Sequence, residues 1–294
     1  MSALVPVYRR RATPLHAARA SVAVAWCSAL TLVPIVYDNA VVLAGALVAV
    51  LAAGMAAGVG EDLRRSARYG IPFALIAVVL NAILSQNGAT LLVRGGSFLG
   101  RSWDVTLEAV TYGAVMGLRL LVLILIFGVY SACVDPDEVL RLLRRVSYRS
   151  ALTAALATRL VPVLARDTER MRDAARCRPE PPGRARVLRA ALSGSLERAV
   201  DVAAALEVRG YAGGGRTRQA RRPWSRHDAS VLASAVLIAG FAIAGRIAGV
   251  GDYTAYETTH VAAGVPELAL ACALVASALL PFAGARARLG VARA

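Results

Sequence analysis

Residues that could carry out chemistry are few and scattered in this sequence. The four cysteines have no paired spacing, and the three histidines are isolated from one another. Disulfide frameworks and zinc sites both depend on regular Cys or Cys/His spacing. The sequence therefore predicts no metal and no disulfide framework.

A glycine run at residues 213–215 raises the question of phosphate binding. A phosphate-binding loop needs G-x-x-x-x-G-K-[ST] between a strand and a helix. This chain contains no lysine, and no strand is predicted before Gly213. We predict no cofactor and no catalytic residue, and we expect any ATP to be hydrolysed by another subunit.

Arginine is the abundant charged residue. All 34 basic residues are arginines, the formal net charge is +15, and the use of arginine without lysine points to a GC-rich bacterial genome. A basic chain of this kind could bind nucleic acid or lie at a membrane. The positions of the arginines decide between these two readings.

The composition indicates a membrane protein. Apolar residues make up 57% of the chain and charged residues 18%, which is more apolar and less charged than a typical soluble domain. About 20 apolar residues cross a bilayer as a helix. Six candidate spans have close to this length: residues 20–36, 41–59, 71–86, 105–134, 229–248 and 261–283.

The arginines follow the topology that these spans define. With the N-terminus inside, 30 arginines fall on inner segments and two on outer loops, while Arg119 and Arg246 lie in or at the end of a span. Cytoplasmic loops carry such an excess of positive charge. We therefore expect a multi-pass protein of the bacterial cell membrane with both termini cytoplasmic, and no nucleic acid partner.

The fold class that follows is all-α, with about six transmembrane helices and a cytoplasmic domain between the fourth and the fifth. The predicted domains are a membrane domain at 1–134, a cytoplasmic coupling domain at 135–228 and a membrane hairpin at 229–294. The inner segment is too long and too rich in helix formers for a simple connection. We therefore look for function there.

Helix signals divide this inner segment into three parts. Asp135 can cap a first helix with Pro136 in its first turn. A second helix carries leucines at helical spacing opposite Arg159, with Pro162 as a predicted kink. The longest helix covers 184–209 with one apolar stripe, and Gly210 ends it.

Several motifs resemble the T components of energy-coupling factor (ECF) transporters, the EcfT/CbiQ family. The segment Asn81-Ala-Ile-Leu-Ser-Gln-Asn-Gly88 is similar to the end of the family's third span, and Gly117-Leu-Arg-Leu-Leu121 to its fourth. The segment from Asp135 and Pro136 to Arg145 resembles the entry to its cytoplasmic domain. The helix with Arg159 and Pro162 resembles the one that follows.

The resemblance is strongest in two Ala-x-x-x-Arg-Gly motifs. The family places these motifs at the ends of its coupling helices. The second is intact, with Ala205, Arg209 and Gly210. The first has Ala174 and Arg178, followed by Pro179 where the family usually has glycine. By position, the resemblance assigns the coupling role to Arg178 and Arg209.

The resemblance also implies partners and a function. In that family, two cytoplasmic ABC ATPases each receive one coupling-helix end in a surface groove, and a separate membrane protein, the S component, captures the substrate. The chain would then be a non-catalytic scaffold in the bilayer that couples ATP hydrolysis to uptake of a vitamin or a transition-metal ion. The apolar stripe of 184–209 would offer a sliding surface to the S component.

Other readings of these residues remain open. Arg119 could form a structural pair with Glu108 or Glu267, or it could act in transport. The leucine stripe could be ordinary packing within the cytoplasmic domain. A stand-alone secondary transporter is the main alternative function, although no internal repeat is evident. A membrane-embedded enzyme would need a cluster of catalytic groups that the sequence lacks.

Overall fold

The computed structural model describes residues 13–84, 91–98, 101–143, 148–179, 182–210, 224–251 and 264–291. Ten helices and one β-hairpin lie within these residues. The helices are α1 (Pro14–Ala17), α2 (Ala20–Val36), α3 (Ala40–Ala56), α4 (Gly60–Leu84), α5 (Leu107–Cys133), α6 (Pro136–Leu143), α7 (Tyr148–Arg176), α8 (Arg184–Val208), α9 (Arg226–Ile247) and α10 (Val265–Val291). The hairpin consists of β1 (Leu91–Phe98) and β2 (Arg101–Thr106).

Helices long and apolar enough to cross a membrane form most of the framework. Four candidate spans satisfy both criteria: Gly60–Ile83, Leu107–Cys133, Arg226–Ile247 and Val265–Ala283. The apolar helices α2 and α3 have 17 residues each, the lower end of the length that spans a bilayer. The prediction of a helical, polytopic membrane protein is confirmed, with a helix at each of the six predicted apolar runs.

Two local features differ from the expectation. Helix α4 begins at Gly60, eleven residues before the predicted span at 71, because the charged segment before the apolar run is also helical. Glu61 and Asp62 occupy its first turn, where acids are favoured by the helix dipole. The antiparallel hairpin β1–β2, with Arg94 paired to Asp104 in register, lies between α4 and α5 and was not predicted.

Small residues bring α4 and α5 into close contact. A Cβ atom added to Gly117 of α5 would lie 2.8 Å from the Ala74 carbonyl oxygen of α4, and one added to Gly113 would lie 3.1 Å from the Val78 backbone. Gly113 and Gly117 form a G-x-x-x-G pattern, which permits such close approach between membrane helices. The amide of Asn81 adds a hydrogen bond of 2.7 Å to the Ala109 carbonyl.

A buried polar network joins α2, α9 and α10. The Trp26 indole donates to the Ser234 hydroxyl at 3.0 Å, and this hydroxyl donates to the Ser277 carbonyl at 2.6 Å. At the other end of α2, the Tyr37 hydroxyl donates to the Ala242 carbonyl at 2.7 Å. Since buried polar groups need partners, these bonds fix how the three helices face one another.

The chain divides into two compact units. Unit 1 comprises Met1–Val139 and Trp224–Ala294, and unit 2 comprises Leu140–Pro223. The core of unit 1 is formed by α2, α3, α5, α9 and α10, with Trp26, Leu125, Ile238 and Leu274 among its fully buried side chains. Unit 2 is built on α7 and α8, which pack on each other. Its limits lie within about five residues of the coupling domain predicted at 135–228.

Candidate coupling site

Helices α7 and α8 form an arm in which the chain reverses direction. Asp167 of α7 and Arg198 of α8 make an ion pair of 2.8 Å across the interface. Ala175 of α7 and Ala191 of α8 are buried, unlike most of the described side chains of the two helices. Because the chain reverses direction, the C-terminal ends of the two helices lie at opposite ends of the arm.

The first coupling motif lies just beyond the end of α7. The Arg178 amide donates to the Ala175 carbonyl at 3.3 Å, which continues the helical turn past Arg176. Ala174, Arg178 and Pro179 are all exposed. Arg176 pairs with Asp173, whereas the guanidinium of Arg178 has no carboxylate partner within the described residues.

The second coupling motif ends α8. The Arg209 amide donates to the Ala205 carbonyl at 3.2 Å, and the Gly210 amide donates to the Glu207 carbonyl at 2.8 Å. Gly210 has φ +69°, the left-handed conformation that glycine adopts at helix C-termini. Ala205 and Arg209 are exposed. The motif therefore presents a cation at a sharply terminated helix end.

The two motif arginines are separated by the whole of α8. This helix has 25 residues, and at 1.5 Å per residue it spans about 37 Å. Arg178 precedes its first residue and Arg209 follows its last. The two motifs therefore occupy two separate positions in unit 2.

The apolar stripe of α8 does not pack on α7. Leu188, Leu192, Leu196 and Val200 are 56–69% exposed. Ala191 and the ion-paired Arg198 occupy the side of α8 that contacts α7. The alternative reading, in which these four residues pack within the coupling domain, therefore does not agree with their exposure.

The remaining predicted residues of the cytoplasmic domain lie at its entry and on α7. The Asp135 carboxylate accepts from the Asp137 amide at 2.9 Å, next to Pro136 at the first position of α6. Arg159 and Pro162 are exposed. Helix α7 continues through Pro162, and the Arg166 side chain donates to the Pro162 carbonyl at 3.2 Å.

Arg119 has a partner that the sequence did not predict. Its guanidinium forms an ion pair with Asp38 and donates to the Tyr37 carbonyl at 3.0 Å. A pair with Glu108 or Glu267, one of the two readings left open for Arg119, is therefore not the pair that forms. Asp38 belongs to the short connection between α2 and α3, and tertiary packing brings this connection against the middle of α5. The pair ties the α2–α3 connection to α5.

The described residues contain no cluster of metal-binding side chains. No group of three or more His, Cys, Asp or Glu residues capable of holding a metal ion occurs among the residues that the structure describes. The two buried cysteines, Cys27 and Cys133, form no disulfide bond. Among the described residues, the coupling motifs present exposed guanidinium groups, and α8 presents exposed apolar side chains.

A comparison with protein families identifies the chain's relatives. The family model of CbiQ, described as cobalt transport protein, matches residues 11–221, which is more than two thirds of the chain. This match covers α1 to α8 with both coupling motifs. A search of curated proteins gave no match. The chain belongs to the CbiQ cobalt transport protein family and is a membrane component of a transport system.

Proposed function

We propose that this chain is the T component of an ECF-type ABC importer. It is a non-catalytic transmembrane scaffold that couples ATP hydrolysis by two partner ATPases to uptake of a transition-metal ion or a vitamin. A separate S component in the membrane captures that substrate. The family match supports a role in transport, and the resemblance of the coupling motifs supports the specific role.

The observation that carries the proposal is the placement of one exposed arginine beyond the C-terminal end of each helix of the α7–α8 pair: Arg178 after α7 and Arg209 after α8. Arg178 and Arg209 belong to one compact unit, and α8, which is about 37 Å long, separates them along the chain. Two separate contact points suit two ATPase subunits, each gripping one of them. Motion of the subunits would then act on a rigid pair of helices.

Guanidinium chemistry suits this role. A guanidinium group presents a fixed fork of donors that can grip a carboxylate or the carbonyls of a helix end. Arg209 is followed by Gly210, whose positive φ is incompatible with continuing the helix. The arginine side chain therefore stands at the tip of α8, where a groove of a partner can reach it.

The exposed stripe of α8 supports a second contact, with the S component. Leu188, Leu192, Leu196 and Val200 expose large apolar side chains along one face, and contiguous exposed apolar surface is typical of interaction sites. A face without directional polar groups lets a partner bind and move along it. We assign this stripe to the S component.

The charge distribution supports the orientation. The arginines of unit 2, of the segment before α2 and of the C-terminal residues 284–294 would face the cytoplasm, in accord with the excess of positive charge on that side of membranes. The ATPases would then meet unit 2 where ATP is available. Both termini of the chain are cytoplasmic in this arrangement.

Copurification with the ATPases tests the proposal. The double variant Arg178→Glu/Arg209→Glu should lose the ATPases or fail to couple their activity to uptake, because carboxylates would replace both guanidinium forks. Arg189→Glu is the matched control, since Arg189 is also an exposed arginine of unit 2 but lies outside both motifs. Normal assembly and uptake in the double variant would defeat the assignment.

Reconstitution without partners separates this function from secondary transport. The purified chain in liposomes should move no Co²⁺ by itself and should acquire uptake when the ATPases, ATP and the S component are added. Uptake by the chain alone, driven by an ion gradient, would favour the secondary transporter.

A further inference from the structure

The two points at which the chain passes between the units are held by one short segment. The chain leaves unit 1 after Val139 and returns at Trp224. Residues adjacent to both points contact the segment 13–20, which runs from Thr13 through α1 to the first residue of α2. All of these contacts lie within unit 1.

Two carboxylates bind the N-terminus of α2. Glu138, beside the exit point, accepts from the Ala20 amide at 3.3 Å. Asp228, near the return point, accepts from the Arg19 amide at 2.9 Å. The first amides of a helix have no partner within the helix, and the positive end of the helix dipole favours negative charge. The α2 N-terminus therefore binds both connections of the coupling unit.

Further contacts reinforce the return point. The Arg19 guanidinium lies 3.7 Å from the Asp228 carboxylate and 5.1 Å from the centre of the Trp224 ring. Asp228 also forms a capping box with Ser225 that begins α9. The His227 ring donates to the Pro14 carbonyl. Asp228 is 1% exposed, so water competes little for these bonds.

The segment is also attached to the rest of the membrane unit. His16 binds the Ala132 carbonyl at the end of α5 through its ring nitrogen at 3.2 Å, and Leu15 is buried. Helix α2 itself packs on α3, α5 and α9. A displacement that reaches the start of α2 is thus passed to several membrane helices at once.

We propose that the N-terminus of α2 is the pivot of the coupling unit and that Glu138 and Asp228 are positioning residues for energy coupling. This inference rests on the proposed function. Both connections of unit 2 are fixed to one helix end, so movement imposed by the ATPases turns that end and is transmitted through α2. Without these carboxylates the connections would move without turning α2, and ATP would be hydrolysed without transport.

The test measures Co²⁺ uptake and ATP hydrolysis in the same proteoliposomes, which contain the full chain, the ATPases and the S component. In Glu138→Ala and Asp228→Ala, we expect assembly and ATP hydrolysis to persist while Co²⁺ transported per ATP falls about fivefold, a size typical of residues that transmit coupling. Glu138→Gln and Asp228→Asn keep an oxygen acceptor and should recover most of the ratio.

Control variants distinguish a specific effect on coupling from a general loss of structure. Glu197→Ala removes an exposed carboxylate of α8 and should leave the ratio unchanged. Arg19→Ala keeps both backbone hydrogen bonds and should lower the ratio of Co²⁺ transported per ATP about twofold. If Glu138→Ala or Asp228→Ala does not reach the membrane, the ratio measured in Arg19→Ala tests the inference instead. An unchanged ratio in these variants, or joint loss of assembly and hydrolysis, would overturn the inference. Failure of the unmodified chain to bind the ATPases would instead refute the proposed function.

Discussion

Asp167 of α7 and Arg198 of α8 form the ion pair that aligns the two helices of the coupling arm, at a distance of 2.8 Å. The Arg198 side chain is 40% exposed and the Asp167 side chain 23% exposed. The pair is therefore partly screened by solvent, and its role is to set the register of the helices more than to hold them together.

A double-mutant cycle with Asp167→Ala and Arg198→Ala should give a small coupling energy. We expect about 0.2–1 kcal/mol, the range of solvent-exposed ion pairs, measured by thermal unfolding of the purified chain in detergent. The coupling energy should decrease at high salt because exposed charges are screened. A value well above this range would mean that the pair is a main source of stability.

Gly117→Leu should separate α4 from α5. Even the Cβ atom would lie 2.8 Å from the Ala74 carbonyl oxygen, so the helices must move apart, at a cost of about 1–3 kcal/mol. Gly240→Ala in α9 is the control, because nothing lies within 4 Å of a Cβ atom there. Equal thermal stability of the unmodified protein and Gly117→Leu would contradict the close packing of these helices.

Gly210→Ala should weaken the end of α8. The residue has φ +69°, and alanine in this conformation costs about 1 kcal/mol. Fraying of the last turn would displace Arg209, so ATPase binding should fall. Gly210→Asn should be milder, because asparagine tolerates the left-handed region better than alanine. Binding is measured by titration of the purified ATPase; an alanine variant that binds normally would show that the sharp end is not needed.

Asp38→Ala should lower the stability of the protein more than Arg119→Ala. The Arg119 side chain is 19% exposed, whereas the Asp38 side chain is 51% exposed. Asp38→Ala leaves a mostly buried guanidinium with fewer acceptors and should cost about 1–3 kcal/mol. Arg119→Ala leaves a carboxylate that water can reach, so its missing charge partner costs less. Thermal unfolding in detergent measures both, and the reverse order would contradict the pairing.

Leu192→Glu should impair the S component contact without releasing the ATPases. A carboxylate in the middle of the exposed stripe has to be desolvated when a partner covers it. We expect capture of the S component to weaken about tenfold, equivalent to ~1.4 kcal/mol, with unchanged ATPase copurification. Ser193→Glu is the adjacent control, since Ser193 is exposed beside the stripe. If Leu192→Glu and Ser193→Glu weaken capture of the S component equally, the stripe is not part of the interface.

Sequence patterns located the membrane helices well because a bilayer imposes a minimum length of apolar helix. The same criterion missed the first part of α4, since Glu61 and Asp62 are helical but not apolar. Gly210 also indicated the end of α8, because glycine commonly follows the last residue of a helix. Local signals were sufficient for these helix positions, whereas the coupling role of Arg178 and Arg209 was assigned only by the family resemblance.

Contacts between distant residues could not be predicted in the same way. Asp38 and Arg119 are 81 residues apart, and Arg19 and Asp228 are 209 apart. Asp228 did carry a local signal, since Ser225 and Asp228 have capping-box spacing. That signal predicts the start of α9, but not the bond to the start of α2, which depends on how α2 and α9 pack.

Photo-cross-linking in the assembled transporter tests the central claim most directly. One chain carries a photoreactive residue at both position 178 and position 209, and a control chain carries it at position 189. The account predicts an adduct that contains one chain and two ATPase subunits, with none from the control. Adducts with only one ATPase, or none from either arginine position, would contradict the two-ended coupling arm.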